Sequence, residues 1–342
     1  MRFETIAAHA AGVAPALRGW KLSSRLPWAA MVASVLSASA CSMSARPAED
    51  VAAVLSEAEL QLVAQSIDEK VVQDDLVLAD SRLDAYLQRV VARLLAASGE
   101  RVDRVRVRVI RNPVLGASAL ANGVLHVHTG ILARLGNEAQ LATLLGHELE
   151  HFLGRHAVRE MHLRSNPTMA ASAVAGDEGS ERRDVDAAIR RFERQLEREA
   201  DEAGLRRMAA AGYEPSEAPR FFEMLLADEI EAGITRDHQR GNHPAAHERL
   251  TRCQLQAAEL CSANAQRRTI VGQEEYEQAI ADMLLENARM DLDLGRIDLA
   301  QAAIERHLRT RPQSRRGHQM AEILAEARAA KAAAKLRAGL GG

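Results

Sequence analysis

Asn137-Glu138-Ala139-Gln140-Leu141-Ala142-Thr143-Leu144-Leu145-Gly146-His147-Glu148-Leu149-Glu150-His151-Phe152-Leu153 is the stretch on which the fold turns. Asn137 and Gln140 form a capping pair, and apolar residues then recur at helical spacing, so the stretch predicts one long helix running to about Met161. His147 and His151 stand at i and i+4, on one helical face, where both imidazoles reach a single metal ion. Glu148 lies about 100° round from His147, close enough to meet a metal-bound water without being a ligand. H-E-x-x-H is the pattern in which such a glutamate serves as general base for water attacking a peptide carbonyl. Two surface histidines on a charged helix would give the same letters. Leu141, Leu144, Leu145, Phe152 and Leu153 argue against that reading, because a buried helix with His, Glu and His on its inner face needs a partner for those polar groups.

A second helix, predicted over about 184–210, supplies the partner. It contains Glu197-Arg198-Glu199-Ala200-Asp201, and Gly204, Leu205 and Met208 continue the same face. Glu197 and Asp201, again at i and i+4, let one carboxylate ligate a metal while the other supports a ligand histidine. Catalytic zinc wants three protein ligands and an open position, which His147, His151 and Glu197 provide. A supporting carboxylate fixes the tautomer of a ligand imidazole. Glu199 is the competing ligand, but it lies about 200° from Glu197 and faces Arg-rich neighbours. A solvated acidic face paired to Arg194 and Arg198 is the bland alternative, outweighed by the upstream motif.

Outward from these helices, residues 51–98 carry helical periodicity. Val105 to Val109 alternates strictly with Arg, as a half-buried strand does. Asn122-Gly123 separates two short apolar runs, a hairpin signal, and the second run spans Val124 to Thr129. Residues 165–183 read as a loop. Few strands and several helices give a helix-dominated α+β fold. The 342 residues are 47% hydrophobic and 27% charged, the balance of a globular chain, and only 3% aromatic, so Ala, Leu and Val build the core. With 44 basic against 47 acidic residues, and no basic cluster, nucleic acid is not an expected partner.

Arg18, Lys21 and Arg25 precede an apolar or small stretch from Pro27 to Ala40, the pattern of a secretory leader over 1–40. Leu36-Ser37-Ala38-Ser39-Ala40-Cys41 is similar to a lipobox, with Leu two positions further from the Cys than usual. Cys41 is therefore the expected lipidation site, an ordinary signal-peptidase cut after Ala40 being the alternative, and 41–50 forms a tether. Export would allow Cys253 and Cys261 to pair, yet both lie on one stripe of a predicted helix. Eight residues of unbroken helix hold them about 12 Å apart, so either the helix breaks or they are thiols.

The motifs together resemble the HtpX / CAAX-prenyl-protease family of zinc metallopeptidases. The resemblance rests on Asn137 through His151 with Arg155-His156, on Glu197 through Leu205 with Ala211-Gly212-Tyr213-Glu214-Pro215, and on Asn242-His243-Pro244 with Arg249. It covers roughly residues 70–260, and no apolar run outside the leader approaches the roughly 18 residues of a membrane span, which points to the soluble, BepA-like periplasmic branch. It implies a zincin-type, gluzincin-like metallopeptidase domain with a small sheet over 51–265 and an all-α helical-repeat region over 270–342. It also implies one zinc ion on His147, His151 and Glu197, Glu148 as base, and Asp201 and Arg249 as supports. By the same resemblance His243 swings onto the zinc and latches the idle enzyme; an oxyanion donor and a plain turn histidine are the other roles open to it. The strand with His126 and His128 is expected to edge the substrate cleft, with His128 where an aromatic is common. Without the resemblance, both histidines read as exposed positions of a half-polar strand.

Leu294-Gly295-Arg296-Ile297-Asp298-Leu299-Ala300, with Ala303-Ile304, Leu308 and Pro312, matches one tetratricopeptide-type unit, in which Gly295 would allow a tight inter-helix approach. Residues 272–290 and 314–338 would supply its neighbours; a plain helical hairpin packed on the peptidase is the alternative. Two functions follow. The first is a zinc endopeptidase of the bacterial envelope acting on exported proteins, anchored to the outer membrane through Cys41, its helices docking outer-membrane assembly machinery. The second is a chaperone or adaptor whose zinc site is structural or kept shut. No Cys near the motifs fills a fourth position, and Glu148 is intact, so the first is preferred.

Overall fold

A computed structural model describes residues 56–165, 181–231 and 246–339 of the chain. The leader, the tether, Cys41, the Asn242-His243-Pro244 motif and most of the predicted 165–183 loop lie outside the described residues.

Ser56 and Glu59 form a capping box that opens α1 (Glu57–Gln73). Asp80 opens α2 (Ser81–Ala96) by accepting from the amides of Arg82 and Leu83. The stripe Leu83, Leu87, Leu94 and Leu95 of α2 is wholly buried and forms one wall of the core. Three strands follow: β1 (Arg106–Ile110), β2 (Ala117–Ala119) and β3 (Val124–His128). β2 and β3 make the hairpin expected at Asn122-Gly123, antiparallel with Ala117 opposite Val127, and β1 pairs parallel with β3.

The strand order is β1-β3-β2, so β3 is the central strand and not the edge expected of it. Its histidines are correspondingly buried, contrary to the half-polar reading, because helices and loops cover both faces of the sheet. Leu125 and Val127 enter the apolar core on one face. On the other, His126 Nε2 lies 3.0 Å from Asp68 of α1, whose carboxylate also takes a bidentate pair from Arg108 of β1. His128 Nδ1 lies 3.3 Å from the Val114 carbonyl. Period-2 alternation marks which side chains share a face; it does not say that the polar face meets water.

Burial holds the His128 imidazole down at about 4, with the Val114 carbonyl opposing it. An unfolded histidine titrates near 6.5, so the folded form binds fewer protons between those values. His128 therefore adds stability that is present above about 6.5 and lost as pH falls toward 4, about 3 kcal/mol in all. His128→Leu should flatten the drop in urea midpoint between pH 7.5 and 4.5; a drop as steep as in wild type would refute this linkage.

After β3 come α3 (Thr129–Arg134), α4 (Glu138–Leu153) and α5 (His156–Ser165). The single helix predicted to Met161 is thus two, broken at Gly154 and at Arg155, whose φ is +52°. α6 (Glu181–Ala210), α7 (Ala218–Glu231) and α8 (Ala246–Ala263) complete the layer around α4. α8 is unbroken across Cys253 and Cys261, which are free thiols, as helical spacing requires.

The C-terminal helices are α9 (Gln273–Asp293), α10 (Ile297–Thr310) and α11 (Arg315–Gly339). α9 and α10 form the expected helix-turn-helix. Gly295, however, has φ +71° and open space where a side chain would stand, so it serves the turn and not a close helix approach. These helices pack against α3 and the residue after it: Tyr276 donates to the Leu132 carbonyl, and Arg306 donates to those of Ala133 and Leu135. Tyr276, Ile280 and Leu284 share one apolar core with Ile131 and Leu132.

Candidate metal centre

α4 and α6 are brought together by two glycines. A Cβ on Gly146 would stand 2.9 Å from the Gly204 carbonyl oxygen, and one on Gly204 would stand 2.8 Å from the His147 amide nitrogen. Any larger residue would push the backbones apart at the place where one helix carries His147 and His151 and the other Glu197 and Asp201. The sequence signal was available, a glycine directly before H-E-x-x-H and another three residues beyond Asp201, but nothing in a single sequence pairs them.

The crossing sets three donors in a triangle. His147 Nε2 and His151 Nε2 are 3.0 Å apart, His147 Nε2 is 3.6 Å from Glu197 Oε2, and His151 Nε2 is 3.5 Å from Glu197 Oε1. Ligands of a tetrahedral zinc at the usual bond lengths are separated by about 3.3 Å. The donor set therefore fits zinc in both chemistry and size, and it forms a metal-type cluster among the described residues. His147 and Glu197 are buried, and burial keeps His151 neutral, the form that offers a lone pair.

Around the triangle, Asp201 Oδ1 lies 2.9 Å from His147 Nδ1. Accepting that N–H leaves the His147 lone pair on Nε2, directed at Glu197 and His151. Burial works against a charge on Asp201, but the Arg249 guanidinium and His147 outweigh it and hold its carboxyl below the usual range. Arg249 donates to both Asp201 oxygens, at 2.8 and 2.6 Å, and its Nη1 lies 3.5 Å from Glu197. Its guanidinium also covers the Phe222 ring at 5.1 Å. Asp201 and Arg249 thus lie beside the triangle, joined to each other and to His147 and Glu197. Glu148 is buried beside the cluster, and burial pushes its carboxyl up.

Glu199 points away, as its helical angle required, and pairs with Arg159 at 2.6 Å. Sequence reasoning gave no role to His156. It is buried, and its Nδ1 lies 3.1 Å from His151 Nδ1. Only knowledge that α4 ends at Leu153 could have placed it there.

The chain is similar to several known proteases. A beta-barrel assembly-enhancing protease of Escherichia coli is 24% identical over 169 residues, 44% of this chain and 34% of its own length. A Vibrio cholerae relative carrying the same name is 27% identical over 191 residues, 51% of this chain and 39% of its own. The mitochondrial metalloendopeptidase OMA1 of Schizosaccharomyces pombe is 29% identical over 170 residues, 48% of this chain and 50% of its own. The chain spans between about a third and a half of the length of these relatives. The family model for peptidase family M48 matches residues 81–257, more than half of the chain. That stretch includes both helices of the triangle, and the chain belongs to peptidase family M48.

Proposed function

We propose that this chain is a zinc-dependent endopeptidase of the bacterial cell envelope that hydrolyses peptide bonds of exported proteins, including misassembled outer-membrane proteins. The observation that carries the reading is the His147, His151 and Glu197 triangle with Glu148 buried beside it. Zinc held there would polarise the scissile carbonyl and acidify a bound water. The chain's own residues do the rest. Asp201 orients His147, Arg249 keeps Asp201 ionised, and Glu148 takes the proton from the attacking water and passes it to the leaving amine. The raised affinity of the Glu148 carboxyl for protons suits that exchange.

Two features support the envelope location: the leader-type pattern over 1–40 with Cys41 directly after it, and relatives named for beta-barrel assembly. No helix among the described residues is long and apolar enough to cross a membrane. The C-terminal helices offer the surface for assembly partners. The chaperone or adaptor alternative leaves Glu148, a base in the site, without employment.

Cleavage of unfolded casein by the full-length chain tests the reading. Removing zinc with a chelator should lower the rate at least about a hundredfold, and one equivalent of zinc should restore it. Cleavage that persists in the metal-free chain, or none in the zinc-loaded chain, would overturn the proposal.

A further inference from the structure

We infer that His156 is a positioning residue for the metal centre, holding His151 in the tautomer and ring orientation that present Nε2 to zinc. The inference rests on the proposed zinc site. Its starting point is the contact between two ring nitrogens, His151 Nδ1 and His156 Nδ1, at 3.1 Å, with the rings edge to face at 86°. Such a contact is favourable only when one nitrogen carries the proton and the other a lone pair. His151 Nε2 faces His147 and Glu197, so as a ligand atom it must be unprotonated. The His151 proton is then on Nδ1 and is donated to His156 Nδ1. His156 in turn carries its own proton on Nε2, which lies 3.7 Å from Glu199 Oε2. That separation is too long for a hydrogen bond but close enough for the carboxylate to favour an N–H facing it. Glu199 is held in place by Arg159, at 2.6 and 3.2 Å, and by Gln195 at 2.9 Å.

The backbone is built around this contact. In an unbroken helix His156, five residues on, would stand about 140° round from His151. The helix instead stops at Leu153, and Arg155 takes φ +52°, an uncommon conformation for a residue with a side chain, so that α5 restarts at His156 with its ring over His151. Gly154 leaves the room: a Cβ there would stand 2.6 Å from His156 Nε2 and 2.8 Å from its Cδ2. His156 is 4% exposed, so its own ring is shielded from bulk water. The two histidines of the triangle are thus supported differently, His147 by a carboxylate directly and His151 by a neutral imidazole.

The test uses full-length protein with zinc and cobalt(II) as probes. His156→Leu keeps volume and removes the acceptor, whereas His156→Asn keeps an acceptor at nearly the Nδ1 position. Zinc affinity, measured against a competing chelator, should fall about 10- to 100-fold in His156→Leu and return to within a few-fold of wild type in His156→Asn. The visible spectrum of the cobalt(II) form should change in the Leu variant and be recovered in the Asn variant, which lost packing alone would not produce. Equal affinities in wild type and His156→Leu, or equal losses in the Leu and Asn variants, would overturn the assignment while leaving the proposed function standing. A wild type that binds zinc but cleaves nothing would overturn the proposed function, and the affinities would still decide the role of His156.

Discussion

Glu148→Gln should bind zinc as wild type does and lose about 10²- to 10⁴-fold in the rate of peptide hydrolysis. Glutamine fills the buried space of the carboxyl and leaves His147, His151 and Glu197 untouched, but it cannot accept a proton from an attacking water. Glu197→Ala should lose both zinc and turnover, since it removes one corner of the triangle. The pair therefore separates metal binding from proton transfer, with metal content and cleavage rate read on the same samples. Full activity in Glu148→Gln would remove the base from the mechanism. Equal zinc content in wild type and Glu197→Ala would remove Glu197 from the ligand set.

Much of this centre was legible because helical spacing is a geometric statement. H-E-x-x-H places two imidazoles on one face whatever surrounds them, and E-x-x-x-D does the same for two carboxylates. The angle that excluded Glu199 as a ligand was read from the same geometry, and the structure pairs it with Arg159. What the sequence could not show depends on neighbours distant in the chain. The burial of His126 follows from Asp68, on a helix 58 residues earlier, and from the placing of β3 between two other strands. The break at Gly154 was missed because Phe152, Val158 and Met161 continue the apolar pattern, and a single positive φ at Arg155 leaves no mark in periodicity. Gly295 was read as a close-packing glycine when its φ was the reason for it.

Arg249→Met should destabilise the zinc-free chain by about 3–5 kcal/mol, the cost of breaking a buried ion pair by removing one partner. Arg249 is almost fully buried, and it donates to both oxygens of Asp201 while facing Glu197. Met keeps most of the contact with Phe222 but none of the charge, so two buried acids are left without their shared cation. A bound dication neutralises the same acids from the other side. Zinc should therefore recover more stability in Arg249→Met than in wild type, and the loss measured by urea unfolding should shrink when zinc is present. Adding Asp201→Asn to Arg249→Met should cost less than the sum of the two single changes, because the orphaned charge disappears with its partner. A loss below about 1 kcal/mol without zinc would mean that water reaches the pair. An unchanged loss with zinc present would mean that Arg249 acts on the fold alone and does not share its acids with the metal.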